Sequence, residues 1–284
     1  MREDAIPVIF LARCRYGQRG IWVAHRQPAI GAALDVGVSD KPKAGYRSTG
    51  GSMETVLITG ANRGIGLEFC RQYAADGWRV IACSRFPDRS DLLNKLAADH
   101  PERIRVHALD VGNHAQIDEL ARLHSGESID LLINNAGIYT KSPTSAFQNS
   151  DYEAWMQAFL INTMAPLKMA QAFAAQIARS KKKTIVTISS KMGSLADNTS
   201  GGSYIYRSSK AAVNMVIKTL AVDLQPAGIT SVIFHPGWVK TDMGGPGALI
   251  TPTESVTGMR KVINVLTSAD SGKFLSYDGR TVPW

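Results

Sequence analysis

From Met53 onward the chain alternates without a break between short apolar runs and stretches of helical periodicity, and this alternation limits its fold more than any other feature. The runs TVLIT (55–59), RVIAC (79–83), IRVHAL (104–109), IDLLIN (129–134), TIVTIS (184–189) and ITSVIFH (229–235) are rich in Val and Ile. They are bounded by Gly, Asp, Asn or Ser and read as strands. Most are apolar on both faces, as strands are when helices cover both sides of a sheet. Between them, segments near 65–76, 89–99, 114–125, 152–179 and 205–226 repeat apolar residues at a helical period. Asp88 or Ser90, Asn113 and Asp151 stand where helix N-caps belong. Residues 244–268 are irregular, then helical from about Thr253, and KFLSYDG (273–279) makes a last short strand. Such βα repeats give a parallel, doubly wound α/β sheet, here of about seven strands. Right-handed crossovers put helices on both of its faces. The pattern predicts a single domain over 53–284.

Residues 1–52 are different. AIPVIFLA (5–12) is apolar but short, Pro7 interrupts it, and Glu3 and Asp4 spoil the charged start of a secretory signal. A Gly-, Arg- and Pro-rich stretch without sustained period follows. Three origins fit: upstream sequence ahead of a natural start at Met53, a disordered native extension, or a targeting segment. The first is the preferred expectation. This segment carries eight basic residues against four acids, half of the formal net charge of +8. The body from Met53 is only mildly basic. Its one cationic run, Lys181-Lys182-Lys183, reads as a solvated helix end rather than a nucleic-acid stripe. No apolar run approaches the roughly 18 residues of a membrane span. Cys14, Cys70 and Cys83 have the spacing of neither a zinc site nor a disulfide framework. Cys70 and Cys83 read as small buried residues in a reducing, cytoplasmic compartment. No nucleic-acid, membrane or metal partner is expected.

ITGANRGIG brings three glycines to the junction of the first strand and first helix. A helix N-terminus offers unpaired N–H groups and partial positive charge, for which a phosphate is the natural ligand. Gly60 permits the turn, Gly64 lets backbone approach a pyrophosphate, and Gly66 permits close helix–strand packing. The spacing Gly60-x-x-x-Gly64-x-Gly66 differs from the common dinucleotide fingerprint. The second strand ends in Ser84-Arg85, with no acid before Asp88. A carboxylate there would bind a ribose 2′-hydroxyl, whereas an arginine pairs with a 2′-phosphate. Arg63, inside the glycine turn, can reach the same region. The expected cofactor is therefore NADP rather than NAD.

Tyr206 and Lys210 are four residues apart in a predicted helix and share a face. They form the only Tyr-x-x-x-Lys pair in the chain. An ammonium beside a phenol is expected to lower the tyrosine pKa from about 10. Such a tyrosine can protonate a carbonyl oxygen as hydride arrives, or deprotonate an alcohol in reverse. Ser189 and Ser190 end the fifth strand, where a hydroxyl can donate to the same oxygen.

Together these segments resemble the short-chain dehydrogenases/reductases, across essentially all of 53–284. The likeness rests on Thr59–Gly66, Leu109-Asp110-Val111, Asn134-Asn135-Ala136-Gly137, Asn162 in LINTMAPL, Ser190 in TISS, Tyr206-Arg207-Ser208-Ser209-Lys210 and Pro236-Gly237. SYIYRSSKAAVNM, HPGWVKTDMGG and FLSYDGRTVPW are similar to the C-factor/sniffer-like carbonyl reductase branch. The resemblance implies a Rossmann fold and an NADPH-dependent reductase of aldehydes or ketones, with a C-factor-like signalling role as the alternative. It implies Tyr206 as general acid/base and Lys210 as the lysine that lowers its pKa and binds the nicotinamide ribose. Ser190 would polarise the carbonyl, and Asn162 would support a water in a proton relay. Gly60, Asn62, Arg63, Gly64, Ile65 and Gly66 would hold the pyrophosphate side. Ser84, Arg85, Asp110 and Val111 would flank the adenosine, with Asn134, Ala136 and Gly137 lining it and stabilising the sheet. Pro236, Gly237, Val239 and Thr241 would lie along the nicotinamide side. In relatives the helices equivalent to 152–179 and 205–226 also form a dimer interface, which implies a homodimer. One departure stands out: Ser190 precedes Tyr206 by 16 residues, where the family's serine usually does so by about 13. Ser190 is preferred, with Ser194 and Ser189 behind it.

Overall fold

The structure is a computed structural model that describes residues 53–140 and 145–284. The expectations for residues 1–52, Cys14 among them, lie outside the described residues. Seven strands form one parallel sheet in the order β3-β2-β1-β4-β7-β8-β9. They are β1 (Thr55–Thr59), β2 (Arg79–Ser84), β3 (Ile104–Ala108), β4 (Leu131–Asn134), β7 (Thr184–Ile188), β8 (Thr230–His235) and β9 (Phe274–Ser276). The order reverses between β1 and β4, which creates the crevice where this kind of sheet binds ligands.

Strand alternation builds two cores. Leu57 and Leu132 face one side with Ile117, Phe173 and Ile217. Val56, Ile58 and Ile133 face the other with Phe69, Tyr73 and Met259. The first core is covered by α3 (His114–Leu123), α5 (Ala165–Ala178) and α6 (Tyr204–Asp223). The second is covered by α1 (Gly64–Ala75), α2 (Asp91–Asp99) and α7 (Pro252–Val265). This explains why the strands other than the edge strand β3 read as apolar runs: neighbouring residues are buried, one on each side.

The expected caps sort themselves out locally. Asn113 accepts from the N–H groups of Ala115 and Gln116, and Asp151 accepts from that of Ala154. Ser90 occupies the N-cap position of α2 but spends its hydroxyl on Phe86 O and Ser84 Oγ. Thr251 and Glu254 close a capping box on α7, one to two residues ahead of the expected start. Two departures matter for the site. A two-residue hairpin pair, β5 (Ser145–Ala146) and β6 (Asn149–Ser150), precedes α4 (Tyr152–Phe159). The helix expected over 152–179 is not continuous: a π-helical turn, Leu160–Met164, separates α4 from α5. Such turns occur mostly as single bulges, frequently at functional sites, and this one contains Asn162.

Candidate functional site

The β1–α1 junction is a cradle kept free of side chains. Gly60 and Gly64 both have left-handed backbone, with φ of +66° and +55°. A Cβ on Gly60 would lie 2.9 Å from Ala136 Cα, and one on Gly66 would run into the carbonyl oxygen of Gly60. The N-cap of α1 is Arg63, whose side chain makes no capping bond. The first N–H groups of the helix are thus left without a side-chain acceptor, as a bound pyrophosphate requires. The residues present fit a dinucleotide.

Neighbouring loops brace the cradle. Thr59 Oγ1 accepts from the N–H groups of Asn135 and Ala136 at 3.0 and 3.1 Å. Asn135 Nδ2 donates to the carbonyls of Thr59 and Gly60 at 2.9 and 3.1 Å. Asn135 was not among the expected site residues; two adjacent asparagines give no local sign of which one reaches the turn. Asn134 instead points into the core, with Nδ2 near Pro166 O and Thr187 Oγ1 and its Oδ1 unpaired. Ala61 N donates to Cys83 O, and Leu109 N to Ser84 O. These bonds tie the ends of β1, β2 and β3 to one another, and so the segments that carry Asn62, Arg63, Ile65, Arg85, Asp110 and Val111. Arg85 is exposed and stacks over Phe86 at 4.8 Å. The Ser84 hydroxyl is turned to Ser90 and is buried, so the strand presents Arg85 rather than Ser84 at this edge. Arg63 is ion-paired with Asp242. Beyond β8, Pro236 O accepts from Ser255, Gly237 has φ of +86°, and Val239 is buried. The Thr241 side chain closes on Gly64.

The polar centre lies beside this cradle. Tyr206 and Lys210 both emerge from α6 and are buried, the ammonium 5.7 Å from the phenol ring centre. Lys210 Nζ donates to Ile188 O at 3.0 Å. Across Gly137 stands Asn162: a Cβ on that glycine would be 3.3 Å from Asn162 Oδ1 and 3.6 Å from Lys210 Nζ. Asn162 holds the backbone of Ile138 at both its N–H and C=O, and donates to Ser209 Oγ at 3.0 Å.

The three serines left open by the sequence occupy three different settings. Adjacent residues at a strand end face opposite ways. Ser189 turns into the core and donates to Asn214 Oδ1 at 2.6 Å. Ser190 faces the other way, toward the Tyr206 phenol whose proton affinity it influences, and its Oγ accepts from Met192 N. Ser194 donates to Trp284 O. A 3-10 turn, Lys191–Gly193, follows Ser190 and packs on α6. Gly193 is required there, because a Cβ would sit 2.7 Å from the Lys210 carbonyl carbon.

The electrostatics correct one expectation. Burial pushes the Tyr206 phenol up to about 12, the Ser190 hydroxyl opposes this, and the nearby Tyr139 adds to it. Burial pushes the Lys210 ammonium down to about 8. The expected depression of the tyrosine by the lysine is thus reversed, because removal from water dominates at both groups. Each group is driven toward its neutral form. Cys70 and Cys83 are buried, free thiols, as expected, and burial raises both.

A family profile described as short chain dehydrogenase matches residues 54–247. Among curated proteins, C-signal of Myxococcus xanthus is 43% identical over 156 residues, covering 55% of this chain and 93% of that protein. The 1-hydroxy-2-glutathionyl-2-methyl-3-butene dehydrogenase of a Rhodococcus strain is 35% identical, covering 82% of this chain and all of its own length (100%). Among solved structures, the NADPH-bound carbonyl reductase from chicken fatty liver is 36% identical with a TM-score of 0.76, covering 82% of this chain and 99% of its own. The carbonyl reductase Sniffer of D. melanogaster is 32% identical with a TM-score of 0.76, covering 82% and 100%.

Proposed function

The chain belongs to the short-chain dehydrogenase family, and from that premise we propose that it reduces an aldehyde or ketone to an alcohol with NADPH, with Tyr206 as the proton donor. The enzyme is an NADP-dependent oxidoreductase similar to carbonyl reductases. The observation that carries the residue roles is the meeting of Ser190, Tyr206, Lys210 and Asn162 beside a glycine cradle open to a pyrophosphate. When bound, NADPH supplies the hydride. Ser190 donates a hydrogen bond to the carbonyl oxygen and Tyr206 gives up its proton to it as negative charge builds. A high phenol pKa keeps that proton in place until it is needed. Lys210 stabilises the phenolate that remains and holds the ribose. Asn162, one glycine away from Lys210, keeps the path by which the proton is replaced. Arg63 and Arg85 pair with the 2′-phosphate, which requires Arg63 to exchange Asp242 for it.

A panel of aldehydes, ketones and diketones, read by oxidation of NADPH and NADH at equal concentration, tests this. Turnover preferring NADPH is expected; tight NADPH binding with no turnover by any member of the panel would move the weight to the signalling reading that the likeness to C-signal supports.

The pH dependence has a defined sign. Lys210 is charged below its folded pKa and loses its proton as pH rises through about 8. kcat/KM reports groups of the free enzyme, so its alkaline limb is expected near pH 8. Lys210→Arg, which stays charged throughout, should remove that limb from whatever activity remains. A limb near pH 8 that persists in this variant would assign it to another group.

We treat 53–284 as the NADP-binding domain, working in a cytoplasmic setting that suits its two free buried thiols. Among the described residues no helix is long and apolar enough to cross a membrane. A homodimer is the proposed assembly. Helices α4 and α6 lie side by side, linked by Trp155 Nε1 donating to Ser208 Oγ. They expose Tyr152, Met156, Met215 and Val222, with Met164 on the adjoining turn. Apolar side chains gathered in this way mark an interaction face. Sedimentation should give a dimer for the wild type and a monomer for the Met156→Glu/Met215→Glu double variant. A wild-type monomer would reject the assembly.

A further inference from the structure

Beside Tyr206 lies a second pair of hydroxyls that the proposed chemistry does not use. The ring of Tyr139 meets that of Tyr206 edge-on, with centroids 4.8 Å apart at 74°. Its hydroxyl is 3.3 Å from Ser203 Oγ. Tyr139 and Ser203 come from different parts of the chain, one after β4 and one at the start of α6.

Ser203 is the more telling of the two. It occupies the N-cap position of α6, where a serine ordinarily accepts from the second or third N–H of its helix. It makes no such bond. The duty passes to Ser145 on β5, whose Oγ accepts from Ile205 N at 3.2 Å. The backbone of Ser203 is left-handed, with φ of 49° and ψ of 42°, a conformation a non-glycine residue adopts at a cost. A hairpin thus caps the helix in its place, and a strained backbone turns the Ser203 hydroxyl to Tyr139. The separation between the two hydroxyls is longer than the usual 2.7–2.8 Å of an O–H···O bond. Such a pair is readily bridged by a third oxygen, to which each hydroxyl can donate.

We infer that Tyr139 and Ser203 form an accessory subsite that holds a second oxygen of the substrate. The substrate class is then a carbonyl compound with another hydrogen-bonding oxygen next to the reacting carbonyl. This rests on Tyr206 being the group that works on the carbonyl oxygen. A substrate so held keeps its reacting carbonyl against Tyr206 and Ser190, because its neighbouring oxygen is fixed on the Tyr139 side.

Diacetyl and butanone test the inference, since they match in size and differ in the second oxygen. The variants are Tyr139→Phe, which keeps the ring against Tyr206, and Ser203→Gly, which suits the left-handed backbone. In each variant the ratio of kcat/KM for diacetyl over butanone is expected to fall about five- to tenfold, the loss of one neutral hydrogen bond. The greater intrinsic reactivity of the diketone cancels in the comparison with wild type. Equal losses for both substrates, or none, would overturn the subsite. Binding of the two compounds to the NADPH complexes of Tyr206→Phe and of Tyr206→Phe/Tyr139→Phe, followed by ligand-observed NMR, gives a readout independent of turnover. Selective weakening of diacetyl supports the subsite; equal binding overturns it. If the wild type reduces neither compound, the assignment of these reductions fails by itself, and the binding comparison still decides the subsite.

Discussion

Replacing Tyr206 by Phe is expected to lower kcat by roughly a thousandfold while NADPH binding stays close to wild type. The ring remains, so its packing against Tyr139 and its place on α6 are kept. Only the hydroxyl is lost, and with it the proton that is transferred to the carbonyl oxygen. Ser190 can still polarise the carbonyl but has no second donor beside it. NADPH titration by fluorescence and single-turnover measurement of its oxidation separate the two effects. Retained turnover would remove Tyr206 from the chemistry and leave Ser190 as the next candidate. Lost NADPH binding would mean that the phenol is needed to build the cofactor site rather than to donate.

Replacing Gly66 by Ala is expected to do the opposite, weakening NADPH binding by about ten- to a hundredfold before chemistry is reached, the size of an overpacking cost borne by the binding turn. The new methyl would run into Gly60 O and would lie 2.6 Å from Asn135 Nδ2. Gly60 is part of the turn itself, and Asn135 is the clamp that ties the turn to β4. The methyl can be accommodated only by lifting α1 from the turn. Overpacking of this kind costs about 1–3 kcal/mol in stability, which a fall in Tm would register. Gly64→Ala is the useful contrast. Its methyl meets the end of Thr241 at 3.1 Å, a side chain that can move. Its loss of binding should therefore be smaller, arising mainly from the left-handed φ. Equal NADPH affinity in Gly66→Ala and wild type would mean that the cradle is not the pyrophosphate site.

The sheet could be read from the chain because each strand carries its own signal. TVLIT and TIVTIS are Val- and Ile-rich runs buried at every step, on both sides of the sheet. Ends differ from expectation by a residue or two, except for the short last strand: KFLSYDG pairs only over Phe274–Ser276. The glycine turn and the Tyr206–Lys210 pair were equally legible, since φ above zero and a spacing of four are local properties. The break between α4 and α5 was not. Leu160–Met164 continues the apolar helical period of its neighbours, and its π-turn accompanies the grip of Asn162 on Ile138 and Ser209, residues far away in sequence. The hairpin at 145–150 escaped because two-residue strands carry no periodicity, yet it supplies the cap of α6.

What the sequence determined by itself was the α/β order, the phosphate-binding turn, the arginines near its edge and the pairing of a phenol with an ammonium. Each is encoded within a few residues, by backbone freedom or by side-chain period. The tertiary structure decided which serine meets Tyr206, which asparagine clamps the turn, that Tyr139 and Ser203 stand beside the reacting centre, and that burial drives Tyr206 and Lys210 toward neutrality. Those outcomes depend on which face of a strand end turns to the cleft and on how much water the packed elements exclude. Both are properties of elements brought together from across the chain, and no short stretch of it contains them.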